Sequence, residues 1–140
     1  NEFLTKYQWG PASGLKDTKG AYDTFNGDTA LVYNAGSEEC PVRIIFPSAA
    51  GLITFSRVSD GETFYLDMSK IKTGDPFYMI DSETKLLMGG NWNGTDFSPS
   101  GKIYNFALVA GEFFNLLTGE DTIKCNGVVP VDISYDLIYY

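Results

Sequence analysis

Carboxylates are the side chains of this sequence best suited to acid–base chemistry, because the chain contains no histidine. Asp60 with Glu62, and Asp81 with Glu83, form two close pairs of the residue type that glycosidases use. Both pairs lie in turn-like stretches, where acidic side chains commonly face water. The missing histidine also removes Ser-His and Cys-His nucleophiles and His-ligated metal sites. The sequence therefore predicts that the protein is not an enzyme.

With His-ligated metal sites excluded, a calcium site built from carboxylate oxygens is the remaining kind of metal site to consider. No EF-hand-like spacing gathers the four candidate carboxylates, Asp75, Asp96, Glu120 and Asp121. The glycine-rich stretches 10–14 and 89–90 lack a phosphate-loop pattern and are typical of turns. Solvated surface carboxylates are the simpler interpretation. We therefore expect neither a metal nor a cofactor.

Cys40 and Cys125 are the only cysteines, and their spacing fits no metal-ligand pattern. They either form a disulfide or stay buried as thiols. A disulfide that closes so long a loop would stabilise the folded state by about 4 kcal/mol, because it lowers the entropy of the unfolded chain. Pairing, together with a chain that begins at Asn1 rather than at methionine, favours a processed protein in an oxidising compartment.

One polar loop carries an aromatic side chain suited to binding a sugar. The stretch 88–97 reads Met-Gly-Gly-Asn-Trp-Asn-Gly-Thr-Asp-Phe. An exposed Trp92 indole could stack on a sugar ring, while Asn91, Asn93 and Asp96 hydrogen-bond its hydroxyls. The alternative is an indole folded back over the end of the core. The same loop contains Asn93-Gly94-Thr95, which matches a glycosylation acceptor.

Length and composition predict a single soluble domain over 1–140. The chain has 140 residues, of which 44% are hydrophobic and 20% are charged, as in ordinary globular proteins. Its net charge is −8 and it has no basic run, which opposes nucleic-acid binding. No apolar stretch approaches the roughly 20 residues that cross a bilayer. We expect no nucleic-acid partner and no membrane insertion.

The elements that must position these residues are predicted to be strands. Turn residues recur about every ten residues and helical periodicity is almost absent, which is typical of an all-β fold. We predict strands at 28–33, 42–46, 52–58, 63–68, 77–80, 86–88, 103–109 and 129–140, and a short helical turn within 111–118. About seven short strands rich in β-branched and aromatic residues suggest a β-sandwich of immunoglobulin-like size.

Four stretches carry a resemblance to a known family. The ending 127–140, Gly-Val-Val-Pro-Val-Asp-Ile-Ser-Tyr-Asp-Leu-Ile-Tyr-Tyr, resembles the last strand of pilin subunits that the bacterial chaperone–usher pathway assembles. The hairpin 74–88 resembles a mid-domain pilin hairpin. The stretches 6–15 and 26–31 are similar to the opening of adhesive subunits of the thin, flexible fimbriae of enterotoxigenic Escherichia coli.

The resemblance implies an incomplete immunoglobulin-like sandwich that lacks one strand. A periplasmic chaperone lends that strand, and a neighbouring subunit replaces it at the outer-membrane usher, a form of β-strand addition. The implied function is that of a structural or adhesive subunit of a fimbrium on the cell surface, reached through the periplasm. The large adhesive subunits of this class are nearly twice as long, so we expect a minor or tip subunit without their inserted receptor-binding region. The usual pilin disulfide joins two early strands and does not transfer to these distant cysteines.

The resemblance also implies which residues would face the added strand. They alternate along the C-terminal strand: Val131, Ile133, Tyr135, Leu137 and Tyr139. A basic pair of the chaperone would hold the carboxylate of Tyr140. We expect the apolar face from Val131 to Tyr139 to be fully buried only beside a foreign strand. The alternative is a closed, secreted sandwich that binds carbohydrate, with a host glycan as partner.

Overall fold

A computed structural model describes residues 22–23, 25–135 and 137–138. These residues form eleven strands. The strands are β1 (Tyr22–Asp23), β2 (Thr29–Asn34), β3 (Val42–Pro47), β4 (Leu52–Arg57), β5 (Glu62–Asp67), β6 (Phe77–Asp81), β7 (Leu86–Trp92), β8 (Phe97–Ile103), β9 (Leu108–Ala110), β10 (Gly119–Asn126) and β11 (Asp132–Tyr135). Two 3₁₀ helices, Met68–Lys70 and Asn105–Ala107, follow β5 and β8.

The strands form two sheets in which every described pairing is antiparallel. Sheet A has the order β1-β11-β3-β6-β7-β8, and sheet B has the order β2-β10-β4-β5-β9. The all-β fold predicted from the sequence is confirmed. The structure has more strands than the predicted seven or so. The prediction missed the very short β1 and β9 as well as β8 and β10.

Aromatic side chains hold the two sheets together face to face. Phe46 of sheet A lies 5.5 Å, between ring centroids, from Phe55 of sheet B. Phe55 stacks on Phe64 at 5.2 Å, and Phe113 meets the edge of Phe64 at 4.9 Å. All four rings are buried, and burial of one such side chain contributes about 1.5–3 kcal/mol. Buried residues of both sheets therefore form one shared core.

Strand β10 occupies a central place in sheet B although its sequence is polar. It pairs with β2 on one side and β4 on the other. Its inward residues are Asp121, Ile123 and Cys125, while Lys124 and Asn126 face water. Only two of its eight residues are apolar, so the period-2 pattern was too weak to predict a strand.

Two other predicted elements differ from the structure. The predicted strand 103–109 is divided among the end of β8, the Asn105–Ala107 3₁₀ helix and β9. The predicted helical turn within 111–118 is wrong, because none of these residues is helical and Leu116 forms an isolated antiparallel bridge with Cys40. Phe113 and Phe114 of the same stretch are buried. The apolar residues of this stretch therefore cover the core instead of forming one face of a helix.

Candidate functional site

The C-terminal strand β11 lies one place in from the end of sheet A. It pairs with β3 along its whole length, and Ile133 is opposite Ile44. On its other side, β1 contributes two pairings, Tyr22 with Ser134 and Asp23 with Ile133. The described strand, Asp132–Tyr135, is shorter than the predicted strand 129–140.

Three of the predicted strand-binding residues are buried by the chain itself. Ile133 and Tyr135 are 0% exposed and Leu137 is 2% exposed, and all three belong to the core between the sheets. Val131 is 36% exposed. Tyr139 and Tyr140 lie outside the described residues. The expectation that this face is fully buried only beside a foreign strand is therefore wrong for Ile133, Tyr135 and Leu137, since sheet B already covers them.

The end of the chain is joined to the end of sheet B by two hydrogen bonds. The Tyr33 backbone N–H donates to the Tyr135 hydroxyl oxygen at 3.2 Å. The Ser37 N–H donates to the Ile138 carbonyl oxygen at 2.6 Å. Gly36 makes this close approach feasible, because a Cβ at that position would collide with the backbone of Ile138. The C-terminal segment and β2 therefore lie on the same side of the sandwich.

Among the described strands, β2 ends sheet B on that side. Its outward side chains are Leu31, 63% exposed, and Tyr33, 49% exposed. The Tyr33 N–H donates to Tyr135 rather than to β10, so it points toward the edge of the sheet, as does the N–H of Leu31 two residues earlier. Among the described residues, β10 is the only strand that pairs with β2.

The other end strands carry features that discourage pairing with another chain. Strand β8 contains Pro99, Gly101 and Lys102, and its register with β7 shifts. Strand β9 has three residues and a register shift, and β1 has two residues. Strand β2 has six residues with no proline and no charge. Among the described strands, β2 is the sheet end with the fewest of these features, and such an edge is suited to strand addition. The sequence pattern predicted the strand but not its place at an edge, because pairing order is a tertiary property.

The four predicted sugar-contact residues meet at the hairpin between β7 and β8. Trp92 lies opposite Phe97 and is half-buried, while Asn91 and Asp96 are exposed. The Asn93 Oδ1 atom accepts hydrogen bonds from the N–H groups of Thr95 and Asp96, at 2.8 and 2.7 Å. That oxygen therefore stabilises the turn.

The two predicted carboxylate pairs are each held by an arginine. The Arg57 guanidinium donates to both oxygens of Asp60, at 3.0 and 2.6 Å. This hydrogen bonding lowers the pKa of Asp60 to about 2. In the other pair, Arg43 lies 3.9 Å from Asp81 and 3.4 Å from Glu83.

The four carboxylates considered as calcium ligands are spread over the fold. Asp121 accepts from the N–H and the hydroxyl of Ser59, at 3.0 and 2.6 Å. Asp75 accepts from the Tyr104 hydroxyl at 2.7 Å, and burial, together with this bond, raises the pKa of Tyr104 to about 12. Within 22–23, 25–135 and 137–138, no cluster of three or more acidic, cysteine or histidine residues is arranged to hold a metal. No helix in this part of the chain is long and apolar enough to cross a bilayer.

The two cysteines are buried and no disulfide joins them. Cys40 pairs through its backbone with Leu116, while Cys125 lies in β10 opposite Phe55. Burial raises the pKa of the Cys125 thiol, which keeps it protonated. Of the two alternatives left by the sequence, the structure has the buried thiols, because each cysteine is placed by its own strand pairing.

Comparison of the sequence with protein-family models finds no matching family, and comparison with curated proteins finds no match.

Proposed function

We propose that the protein is a structural or adhesive subunit of a bacterial fimbrium, in a minor or tip position. The resemblance of the ending 127–140 and of the hairpin 74–88 to pilin subunits supports this proposal, and so does the two-sheet all-β fold. In this proposal the fold is an incomplete immunoglobulin-like sandwich, and the protein has no catalytic role. It passes through the periplasm and acts on the cell surface.

The observation that carries the proposal is the edge of β2 beside the C-terminal segment, where no second described strand pairs with β2. A strand from another chain would pair with the outward N–H and C=O groups of Leu31 and with the C=O of Tyr33, since the Tyr33 N–H stays bonded to the Tyr135 hydroxyl. Leu31 and Tyr33 would give that strand apolar side chains to contact. In this arrangement Ile133, Tyr135 and Leu137 stay in the core they already occupy. The added strand extends sheet B and exchanges no core residue.

The partners in this proposal are a periplasmic chaperone, the usher and a neighbouring subunit. The chaperone would hold the carboxylate of Tyr140 and cover the adjoining edge until the neighbouring subunit supplies its strand. Among the predicted strand-binding residues that the structure describes, Val131, at 36% exposure, has the most surface left for a partner. Covering the edge removes the aggregation hazard of an open apolar strand.

A matched pair of variants tests the edge directly. Leu31 and Leu52 are both exposed on sheet B, at 63% and 58%, but Leu52 begins β4, which has strands on both sides. Leu31→Lys and Leu52→Lys make the same change in size and charge at an edge and at an interior position. The two variants and the natural chain are expressed in the periplasm with and without a candidate chaperone, and the co-purified complex is measured.

We expect the natural chain and Leu52→Lys to form the complex, and Leu31→Lys to lose most of it. Thermal unfolding of each variant checks that both remain folded. Equal complex formation by the two lysine variants would remove β2 as the receiving edge. A natural chain that is a stable monomer in the periplasm and binds no chaperone would refute the fimbrial proposal as a whole.

A second candidate function is carbohydrate binding at the hairpin between β7 and β8. The observation that favours it is the pairing of two aromatic residues, Trp92 and Phe97, beside the exposed polar residues Asn91 and Asp96. A glycan array that compares the natural chain with Trp92→Ala tests it. Equal binding by both proteins would exclude Trp92 from a sugar site.

A further inference from the structure

The chain contains three Asn-Gly dipeptides, and the fold places them in three different settings. They are Asn26-Gly27, Asn93-Gly94 and Asn126-Gly127. Such a dipeptide can lose ammonia without an enzyme, because glycine has no Cβ to shield its backbone nitrogen from the neighbouring carboxamide. The rate at each place depends on how tightly the fold holds the carboxamide and the glycine.

Asn26 and Gly27 belong to the tight turn that leads into β2. The Asn26 N–H donates to the Thr29 carbonyl oxygen at 2.7 Å, but the closing bond, from Thr29 N–H to the Asn26 carbonyl oxygen, is long at 3.4 Å. Gly27 has a φ of 68°, and the residues from Asn26 to Asp28 are exposed. Within the described part of the chain, neither the Asn26 carboxamide nor the Gly27 N–H has a hydrogen-bond partner.

The carboxamide of Asn93 is held by its own turn. Its Oδ1 atom accepts from Thr95 N–H at 2.8 Å and from Asp96 N–H at 2.7 Å. The carboxamide must break both bonds before it can rotate toward the nitrogen of Gly94. The need to break both bonds slows the reaction at this position.

Asn126 is held by a sheet. It is the last residue of β10 and pairs with Thr54 of β4, whose hydroxyl lies 3.4 Å from the Asn126 Nδ2 atom. The following Gly127 packs against β4 so closely that a Cβ there would lie 2.8 Å from the Ile53 side chain. Closing a ring between Asn126 and Gly127 would move both residues away from β4.

We propose that Asn26 is a site of spontaneous deamidation in the folded protein, and that it reacts before Asn93 and Asn126. Hydroxide removes the Gly27 amide proton, and the nitrogen attacks the Asn26 Cγ. The new C–N bond closes a five-membered succinimide. The Cγ–Nδ2 bond breaks, and the departing amino group takes a proton from water, so that ammonia leaves and hydroxide is regenerated. Water then opens the ring at either carbonyl and yields aspartate or isoaspartate.

Both products change the turn before β2. Each adds a carboxylate next to Asp28, so the net charge becomes one unit more negative than −8. The isoaspartyl product also inserts the side-chain methylene into the backbone, which lengthens the turn. The Asn26–Thr29 bridge that starts β2 then loses its spacing.

Peptide mapping by mass spectrometry tests the proposal on the full chain. The folded protein is incubated in mildly alkaline and in mildly acidic buffer, and the fraction of aspartate and isoaspartate at each of the three positions is followed with time. A parallel sample is kept unfolded in denaturant, where the three identical dipeptides are free of the fold. Asn26→Gln and Asn126→Gln serve as matched variants, because glutamine would need a larger ring.

In the folded chain we expect Asn26 to convert several times faster than the other two positions, with a faster rate at alkaline pH. In denaturant we expect the three rates to converge. Asn26→Gln should remove most of the early ammonia release, and Asn126→Gln should leave it unchanged. Conversion of Asn93 or Asn126 as fast as Asn26 in the folded chain would overturn the proposal, as would unchanged ammonia release in Asn26→Gln.

Discussion

Replacing Ser82 by alanine tests the polar link that joins the start of β3 to the segment before β10. The Ser82 hydroxyl accepts from the Val42 backbone N–H at 2.8 Å and donates to the Asn115 Oδ1 atom at 2.8 Å. Ser82 is 2% exposed and Val42 is 1% exposed. The substitution therefore leaves a buried N–H without its side-chain acceptor.

The expected loss of stability follows from the buried Val42 N–H, which loses its hydrogen-bond acceptor. An unsatisfied buried polar group costs about 1–3 kcal/mol, and the lost bond to Asn115 adds about 0.5–1.5 kcal/mol. Because Asn115 is only partly buried, water replaces some of the second bond. We expect the free energy of unfolding to fall by about 2–3 kcal/mol in Ser82→Ala.

Urea denaturation followed by tryptophan fluorescence measures this loss. With a denaturant slope of about 1–3 kcal/mol per molar, the midpoint should fall by about 1 M or more while the slope stays unchanged. Ser69→Ala is the matched control, since Ser69 is exposed and bonds only to Asp67 of its own turn among the described residues. We expect its midpoint to change little.

A double-mutant cycle with Asn115→Ala separates the two bonds of Ser82. If the link works as described, the double variant loses less stability than the sum of the two single variants, because the shared bond is lost only once. A loss below about 0.5 kcal/mol in Ser82→Ala, or strict additivity in the cycle, would refute the reasoning.

Three further predictions follow from the packing and the charges. Gly89→Ala should destabilise the fold by about 1–3 kcal/mol in denaturant titrations, because its Cβ would meet the Asp75 carboxylate that binds Tyr104; an unchanged midpoint would contradict this packing. The pKa of Asp60 is lowered to about 2 by Arg57, so its contribution to stability is present above the unfolded value near 3.8 and is lost as the pH falls toward 2. Asp60→Asn should flatten the stability profile in that acid window, and the same slope in both proteins would argue against the ion pair. Thiol titration should detect both cysteines only after unfolding, and reducing agent should leave the unfolding midpoint unchanged; one intact disulfide in the oxidised protein would contradict the structure.

Strong local patterns were sufficient to predict much of the fold. The stretch 42–46 is apolar and β-branched, and it ends at Pro47, which removes a backbone donor, so the strand and its limit were both readable. The turn residues between 77–80 and 86–88 predicted the hairpin that the structure has. Strand β10 escaped detection because it needs neighbours on both sides to be stable, and its own sequence shows only weak alternation.

The sequence predicted which residues of the candidate site are apolar, but not how the strands that carry them are arranged. The alternation of Ile133 and Tyr135 with polar residues predicted a one-sided apolar strand. It could not reveal that sheet B already covers that side, because burial depends on which strands lie opposite. The exposed Leu31 and Tyr33 gave no sign of an edge, since the same alternation occurs in interior strands.

The sequence by itself determined that the chain is built from strands, that histidine chemistry is absent and that most turns lie where glycine, asparagine and aspartate cluster. These properties depend on the types of residue present and on how they are spaced over a few neighbouring positions. Only the tertiary structure decided which strands end each sheet, that the two cysteines stay apart and that the C-terminal strand is covered from within. Each of these depends on contacts between residues far apart in the chain, and no local pattern encodes the order in which strands pair.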